Sequence, residues 1–124
     1  MEKVVCDRAP GAIGPYSQAI KVNGFLFTSG QIPINPASGN VEETTIAGQT
    51  KQVCENLQAI TVAAGISLAQ TVKTTCFLAD IADFAAFNEV YATYFTEKPA
   101  RSCVAVKDLP KGVLCEVELI AALD

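Results

Sequence analysis

Three segments of the sequence are apolar at every consecutive position, and this feature restricts the possible folds more than any other. They are the runs FLF at 25–27, CVAV at 103–106 and LIAAL at 119–123. Strands with one solvated face alternate apolar and polar residues, whereas uninterrupted apolar runs are typical of strands buried on both faces. The sequence therefore predicts a sheet that is covered on both sides.

The order of the predicted elements is ββαβαββ. The first two strands flank Asn23-Gly24, a dipeptide that favours the type I′ turn of a β-hairpin. The helices follow from apolar residues at three- and four-residue spacing, bounded by polar caps, glycine and proline. The later predicted elements are a helix from a cap at Thr44 or Thr45 to Gly65, a strand at 71–79, a helix from Asp80 to about Phe95, and strands at 101–106 and 112–123.

This order predicts an α+β fold in which residues 1–124 form one domain. Because each helix leads into a strand, both helices are expected on one face of a single mixed sheet. The chain then has no element left to cover the second face. The simplest way to bury this face is contact with another subunit, so we expect an oligomer.

Composition narrows the environment and the partners of the chain. Half of the residues are hydrophobic, yet no apolar run reaches the ~18–20 residues of a membrane span. The first 18 residues lack the apolar core and cleavage site of a signal peptide, so a soluble, cytoplasmic protein is expected. A net charge of −4 without a basic cluster argues against nucleic acid as the main partner.

The chain has five cysteines and no histidine, which restricts its chemistry. The cysteines are widely spaced and form no Cys-x-x-Cys pair, as expected for free thiols in a reducing compartment. Without histidine, Ser-His-Asp and Cys-His catalysis and the His-containing zinc sites are excluded within one chain. Catalysis would have to use carboxylates, Arg, Tyr, Ser, Thr, Cys, backbone groups and water.

Two charged positions stand out against this apolar background. Arg101 opens the strand run SCVAV and is either a decoration of a sheet edge or a clamp for a carboxylate or phosphate. Glu116 and Glu118 face away from the apolar row of the last strand. They are either a solvent-facing pair, or one of them has a raised pKa and orients or deprotonates a water.

Four further residues are candidates with an ordinary structural alternative. Ser29 lacks the glycine of a nucleophile elbow and is expected to be a hydrogen-bonding residue at a strand end. Cys103 would be a nucleophile only if its pKa were lowered, and otherwise is a small buried residue. Tyr16 either packs against the fold or walls a ligand pocket, and Asn88 is either a surface residue or a partner for a strand.

Together these segments resemble the RidA (YjgF-type) family of reactive intermediate deaminases over nearly the whole chain. The motifs that carry the resemblance are AIGPYSQAI at 12–20, FTSGQIPINPASG at 27–39, VKTTCFLADIADFAAFNEVY at 72–91 and PARSCVAVKDLPKG at 99–112. Lys98 and Cys115 depart from the family pattern, since an aromatic and a branched aliphatic residue are usual there.

The resemblance implies a chorismate-mutase-like fold assembled as a homotrimer, with the three sheets forming a central β-barrel. It implies clefts between subunits that bind small 2-imino or 2-oxo acids. It also implies cofactor-independent and metal-free hydrolysis of 2-iminobutanoate or 2-iminopropanoate to a 2-oxo acid and ammonia. Such imines are released by pyridoxal-phosphate enzymes such as threonine dehydratase.

Transferred to this sequence, the resemblance makes Arg101 the residue that grips the substrate carboxylate and Glu116 the one that positions water. Tyr16, Ser29 and Asn88 match positions of the family's pocket, and the backbone of Cys103 would meet the imine end of the substrate. Two alternatives are a non-catalytic trimer that binds small carboxylates for regulation and a translation inhibitor or ribonuclease. The acidic composition makes the second of these the weaker.

Overall fold

The computed structural model describes residues 1–124 and shows two α-helices packed on a mixed six-stranded sheet. In chain order the elements are β1 (Glu2–Val4), β2 (Ala19–Val22), β3 (Phe25–Thr28), β4 (Ile34–Asn35), β5 (Asn40–Val41), α1 (Ile46–Ala63), β6 (Thr71–Leu78), α2 (Phe84–Tyr94), β7 (Ala100–Ala105) and β8 (Cys115–Ala122). The strand order in the main sheet is β1-β2-β3-β8-β6-β7. Only β6 and β7, which α2 connects, are parallel. The predicted α+β fold is confirmed.

The predicted turn and helix ends form through the local chemistry of the residues that mark them. Asn23 and Gly24 both have positive φ, 51° and 80°, as a type I′ turn requires. Thr45 caps α1, because its side chain accepts a hydrogen bond from the backbone N–H of Gly48 at 3.0 Å. Asp80 instead caps a short 3₁₀ turn, Ile81–Asp83, that precedes α2. Neither α-helix is both long and apolar enough to span a bilayer.

The ββαβαββ order omits β1 and the small β4–β5 hairpin. The sequence predicts a loop over 31–41 from Pro33, Pro36 and Gly39, but Ile34–Asn35 pairs with Asn40–Val41 within it. β1 has only three residues and pairs with β2 at the edge of the sheet. Strands this short carry too few residues to show a period-two pattern in the sequence.

The two faces of the sheet have different surroundings. On the helix side, residues from both helices and the central strands form one core, with Leu57, Phe87 and Val117 fully buried. On the opposite side, Phe25, Phe27 and Val104 are 41%, 42% and 46% exposed. The apolar runs FLF and CVAV are therefore covered by this chain on one face only.

Candidate functional site

Arg101 lies on the helix-covered side of β7, the edge strand of the sheet. It pairs with Thr74 of β6, a fully buried residue of the same face. Its Nη1 donates a hydrogen bond of 2.7 Å to Oδ1 of Asn88 in α2. Its guanidinium carbon also lies 4.9 Å from the ring centre of Tyr91 and 5.5 Å from that of Phe84. One hydrogen bond and two cation–π contacts thus fix the direction of the guanidinium.

No carboxylate of the chain neutralises Arg101. The one ion pair in the structure joins Lys21 to Glu2 at 3.9 Å, at the other edge of the sheet. A guanidinium carries five N–H donors in a planar fork, and a single bond to an amide oxygen leaves most of them free. Arg101 is therefore a half-buried cation whose free donors can bind a planar anion such as a carboxylate.

Cys103 lies on the same face of β7 and pairs with Cys76 of β6. Burial raises the pKa of the Cys103 thiol, although the charge of Arg101 and a hydrogen bond with the Cys76 thiol act in the opposite direction. A thiol with a raised pKa is protonated near neutral pH and is a poor nucleophile. The geometry thus makes Cys103 a wall beside Arg101 and not an attacking group.

Glu116 lies on the opposite face of the sheet, in a separate cleft of about 560 Å³. Its carboxylate accepts no hydrogen bond from the chain and is half-buried. Burial raises the pKa of Glu116, and the like charge of Glu118 raises it further. The residues that line the cleft are Gly11, Ile13, Tyr16, Ser29, Gly30, Ile32, Ile34, Pro110, Lys111 and Glu116.

The carboxylate of Glu116 packs closely against Gly30, which has no side chain. A Cβ atom built on Gly30 would collide with Oε2 of Glu116 and would lie 3.0 Å from its Cδ. The SGQ motif therefore has a physical function, since its glycine leaves room for the carboxylate.

Ser29 and Tyr16 lie in the same cleft as Glu116. The Ser29 hydroxyl donates a hydrogen bond of 2.6 Å to the backbone carbonyl of Ser17, which ties the strand end to the segment that carries Tyr16. Tyr16 is 52% exposed and follows Gly14, whose φ of +125° lies in the region that favours glycine. Ser29 is thus a hydrogen-bonding residue at a strand end, as predicted, and Tyr16 is a wall of the cleft.

The chain places the six predicted site residues in two groups on opposite faces of the sheet. We call Arg101, Asn88 and Cys103 the arginine half-site, and Glu116, Ser29 and Tyr16 the glutamate half-site. Within one chain the two half-sites do not form a common pocket. No group of three or more Cys, Asp or Glu side chains is arranged to hold a metal ion.

Sequence reasoning missed Phe84 and Tyr91 as contacts of Arg101. With Asn88 they occupy positions i, i+4 and i+7 of α2, which lie on one side of a helix. Aromatic residues at helical spacing are more often part of a core, so the sequence does not single them out as contacts of a cation. Of the two departures from the family pattern, Cys115 is buried in the core and Lys98 is exposed with a φ of 54°.

Comparison with known proteins shows where this architecture recurs. The family model described as endoribonuclease L-PSP matches residues 6–123. A RutC family protein from Pyrococcus horikoshii is 54% identical over 97% of this chain and 96% of its own length. A relative from Escherichia coli, named as reactive intermediate deaminase TdcF, is 46% identical over 98% of this chain and 97% of its own.

Solved structures show the same similarity. The crystal structure of Escherichia coli TdcF with bound serine superposes with a TM-score of 0.94 at 44% identity, covering 98% of each chain. The structure of the Escherichia coli YjgF gene product gives a TM-score of 0.94 at 44% identity, covering 98% of each chain.

Proposed function

This chain belongs to the endoribonuclease L-PSP family, which comprises the RidA and YjgF proteins, and we propose that it hydrolyses 2-imino acids to 2-oxo acids and ammonia. One observation carries this proposal. Two half-buried and oppositely charged groups, Arg101 and Glu116, have no charged partner and lie on opposite faces of the sheet. Arg101 therefore lacks an anionic partner, and Glu116 lacks a cationic one.

A homotrimer would bring them together, with Arg101 of one subunit facing Glu116 of its neighbour. The exposed apolar residues of the second sheet face support this assembly, because subunit contacts would bury them in a central barrel. The active cleft would then combine an arginine half-site and a glutamate half-site from adjacent subunits.

The chemistry needs only an anion clamp and an oriented water. Arg101 would bind the substrate carboxylate through two parallel N–H···O bonds. A protonated imine is already electrophilic at its carbon, so water can attack that carbon and form a C–O bond. Glu116 would accept a proton from this water and return it to the nitrogen. As the C–N bond breaks, the hydroxyl oxygen gives its remaining proton to Glu116 and becomes the carbonyl oxygen, which leaves a 2-oxo acid and ammonia.

A coupled assay tests the proposal. Threonine dehydratase generates 2-iminobutanoate from threonine, and the rate of ammonia release is followed with and without the protein. We expect the wild type to accelerate release and Arg101→Ala to lose the acceleration. No acceleration by the wild type, or undiminished activity of the variant, would contradict the proposal.

A second candidate is a non-catalytic protein that binds small carboxylates for regulation. The serine in the related TdcF structure favours it, since serine is a carboxylate ligand and not an imine. This function predicts Arg101-dependent binding of 2-oxo acids, measured by calorimetry, without turnover in the coupled assay. Ribonuclease activity has less support, because a net charge of −4 opposes the binding of RNA phosphates.

A further inference from the structure

Helix α1 carries two buried amide side chains on the side that faces the rest of the fold. Gln49 and Asn56 are seven residues apart, which is about two helical turns, and are 5% and 1% exposed. Buried amides lower the stability of a fold unless their hydrogen bonds are made. Both side chains bond to backbone groups outside the helix. Asn56 bonds to two residues that line the Glu116 cleft, and Gln49 bonds to the residue two positions before Glu116.

Asn56 holds the apolar wall of that cleft. Its Nδ2 donates to the backbone carbonyl oxygens of Ile32, at 3.2 Å, and Ile34, at 3.0 Å. Its Oδ1 accepts a hydrogen bond of 2.9 Å from Gln52, so every polar group of the amide is used. Ile32 and Ile34 both line the cleft. Asn56 itself does not line it and acts through the backbone.

Gln49 holds the chain just before β8, the strand that carries Glu116. Its Oε1 accepts a hydrogen bond of 2.7 Å from the backbone N–H of Leu114, two residues before Glu116. Its Nε2 donates to the backbone carbonyl of Glu43 at 2.9 Å, so this amide too is paired at both ends. Helix α1 therefore holds both the two isoleucines and the segment that precedes Glu116. We infer that it sets the distance between the isoleucine side chains and the carboxylate.

We propose that Asn56 is a positioning residue that determines which substrate side chain is accepted, by holding Ile32 and Ile34 at a fixed distance from Glu116. This inference rests on the proposed deaminase function. An alkyl group of the substrate would pack against the two isoleucines while Glu116 orients water at the imine carbon. One methylene group in an apolar pocket gives about 10–200-fold discrimination, provided that the wall does not yield.

The test compares two substrates that differ by one methylene, 2-iminopropanoate from serine and 2-iminobutanoate from threonine. Asn56→Leu removes both side-chain donors, so the carbonyl of Ile34 loses its bond from α1 and that of Ile32 keeps only the bond from the N–H of Ile34 at 2.8 Å, and the wall should relax. We expect the ratio of kcat/KM for the two imines to move toward one by about tenfold, mainly through KM. Asn56→Ser, which retains one donor in a smaller side chain, should shift the ratio in the same direction by less.

Two control variants separate this effect from a loss of stability. Thr61→Val removes a buried hydroxyl from the same helix, where it bonds to the carbonyl of Gln58 at 2.8 Å, and should lower Tm without changing the ratio. Gln49→Leu instead leaves the backbone N–H of Leu114, just before the strand of Glu116, without its side-chain acceptor and should lower kcat for both imines by the same factor. Amide hydrogen exchange should accelerate at 31–36 in the Asn56 variants and not in Thr61→Val.

The outcomes distinguish this inference from the function on which it rests. Turnover by the wild type with an unchanged ratio in folded Asn56 variants would overturn the positioning role alone. A wild-type ratio near one, or an equal change in Thr61→Val, would overturn it as well. Failure of the wild type to accelerate either hydrolysis would overturn the deaminase function, and this inference with it. If Asn56→Leu does not fold, the ratio of kcat/KM measured for Asn56→Ser tests the positioning role instead.

Discussion

The two faces of the sheet hold their charged residues in different ways. On the helix-covered face, Arg101 is fixed by an amide and two aromatic rings of a single helix. On the open face, Glu116 accepts no hydrogen bond, lies against the backbone of Gly30 and is surrounded mainly by loop residues. The side chain of Arg101 is held in place by contacts within its own chain, whereas the carboxylate of Glu116 has no hydrogen-bond partner.

This difference fits the separate tasks that we propose for the two half-sites. A cation held in one direction binds an anion with little further loss of conformational entropy, which suits the anchoring of a substrate. A carboxylate with a raised pKa and no bound donor can exchange protons with water, which suits catalysis. In the homotrimer that we propose, a second subunit would cover the open face and bring the two half-sites together.

Removal of the anchor should have the largest effect. Arg101→Ala is expected to lower kcat/KM for the imine by about 10³-fold, because the fixed charge that binds the carboxylate is lost. Arg101→Lys should rescue little, since an ammonium group cannot form the planar fork. Lys107→Ala, which removes an exposed cation just after β7, is the matched control and should retain activity. Equal losses in the two alanine variants would contradict a specific anchor.

Loss of the carboxylate should come next. Glu116→Gln keeps the shape of the side chain but cannot take a proton from water, so kcat should fall about 10²-fold while KM changes little. Single-turnover rates of 2-oxo acid formation measure this step. A variant with full kcat would show that Glu116 is not the proton acceptor.

Disruption of the open face should give a smaller loss that depends on protein concentration. Phe27→Asp places a charge where we propose a subunit contact, and the protein should dissociate, with about tenfold lower activity in dilute solution. Sedimentation velocity would report the change in mass. Val62→Asp alters a residue of α1 that is 64% exposed and should leave the assembly intact. A trimeric Phe27→Asp protein would refute the proposed interface.

The smallest effect is a displacement of the pH profile. The charge of Glu118 contributes to the raised pKa of Glu116, so Glu118→Gln should lower that pKa. Since the deprotonated carboxylate is the active form in the proposed mechanism, the acidic limb of kcat against pH should move to lower pH, with an unchanged plateau. Glu42→Gln removes an exposed charge outside the cleft and should leave the profile in place. A shift to higher pH would contradict the assignment.

The sequence was sufficient for elements whose signals are local. The turn at Asn23-Gly24, the cap at Thr45 and both helices follow from conformational preferences of a few neighbouring residues. β1 and the β4–β5 hairpin could not be predicted in this way, because pairing with a partner strand and not local preference forms them. Within the site, Arg101 and Glu116 stood out as charges in apolar strands.

By itself the sequence determined which side chains are available for catalysis, and it indicated that both faces of the sheet are to be buried. Absence of histidine and consecutive apolar runs are properties of residue type and order, so no coordinates are required to see them. The tertiary structure decided where these groups lie relative to one another. Arg101 and Glu116 belong to different strands and opposite faces, and Asn56 reaches Ile32 and Ile34 across 24 and 22 positions of the chain. Such relations arise from packing between distant segments, which local preferences do not encode.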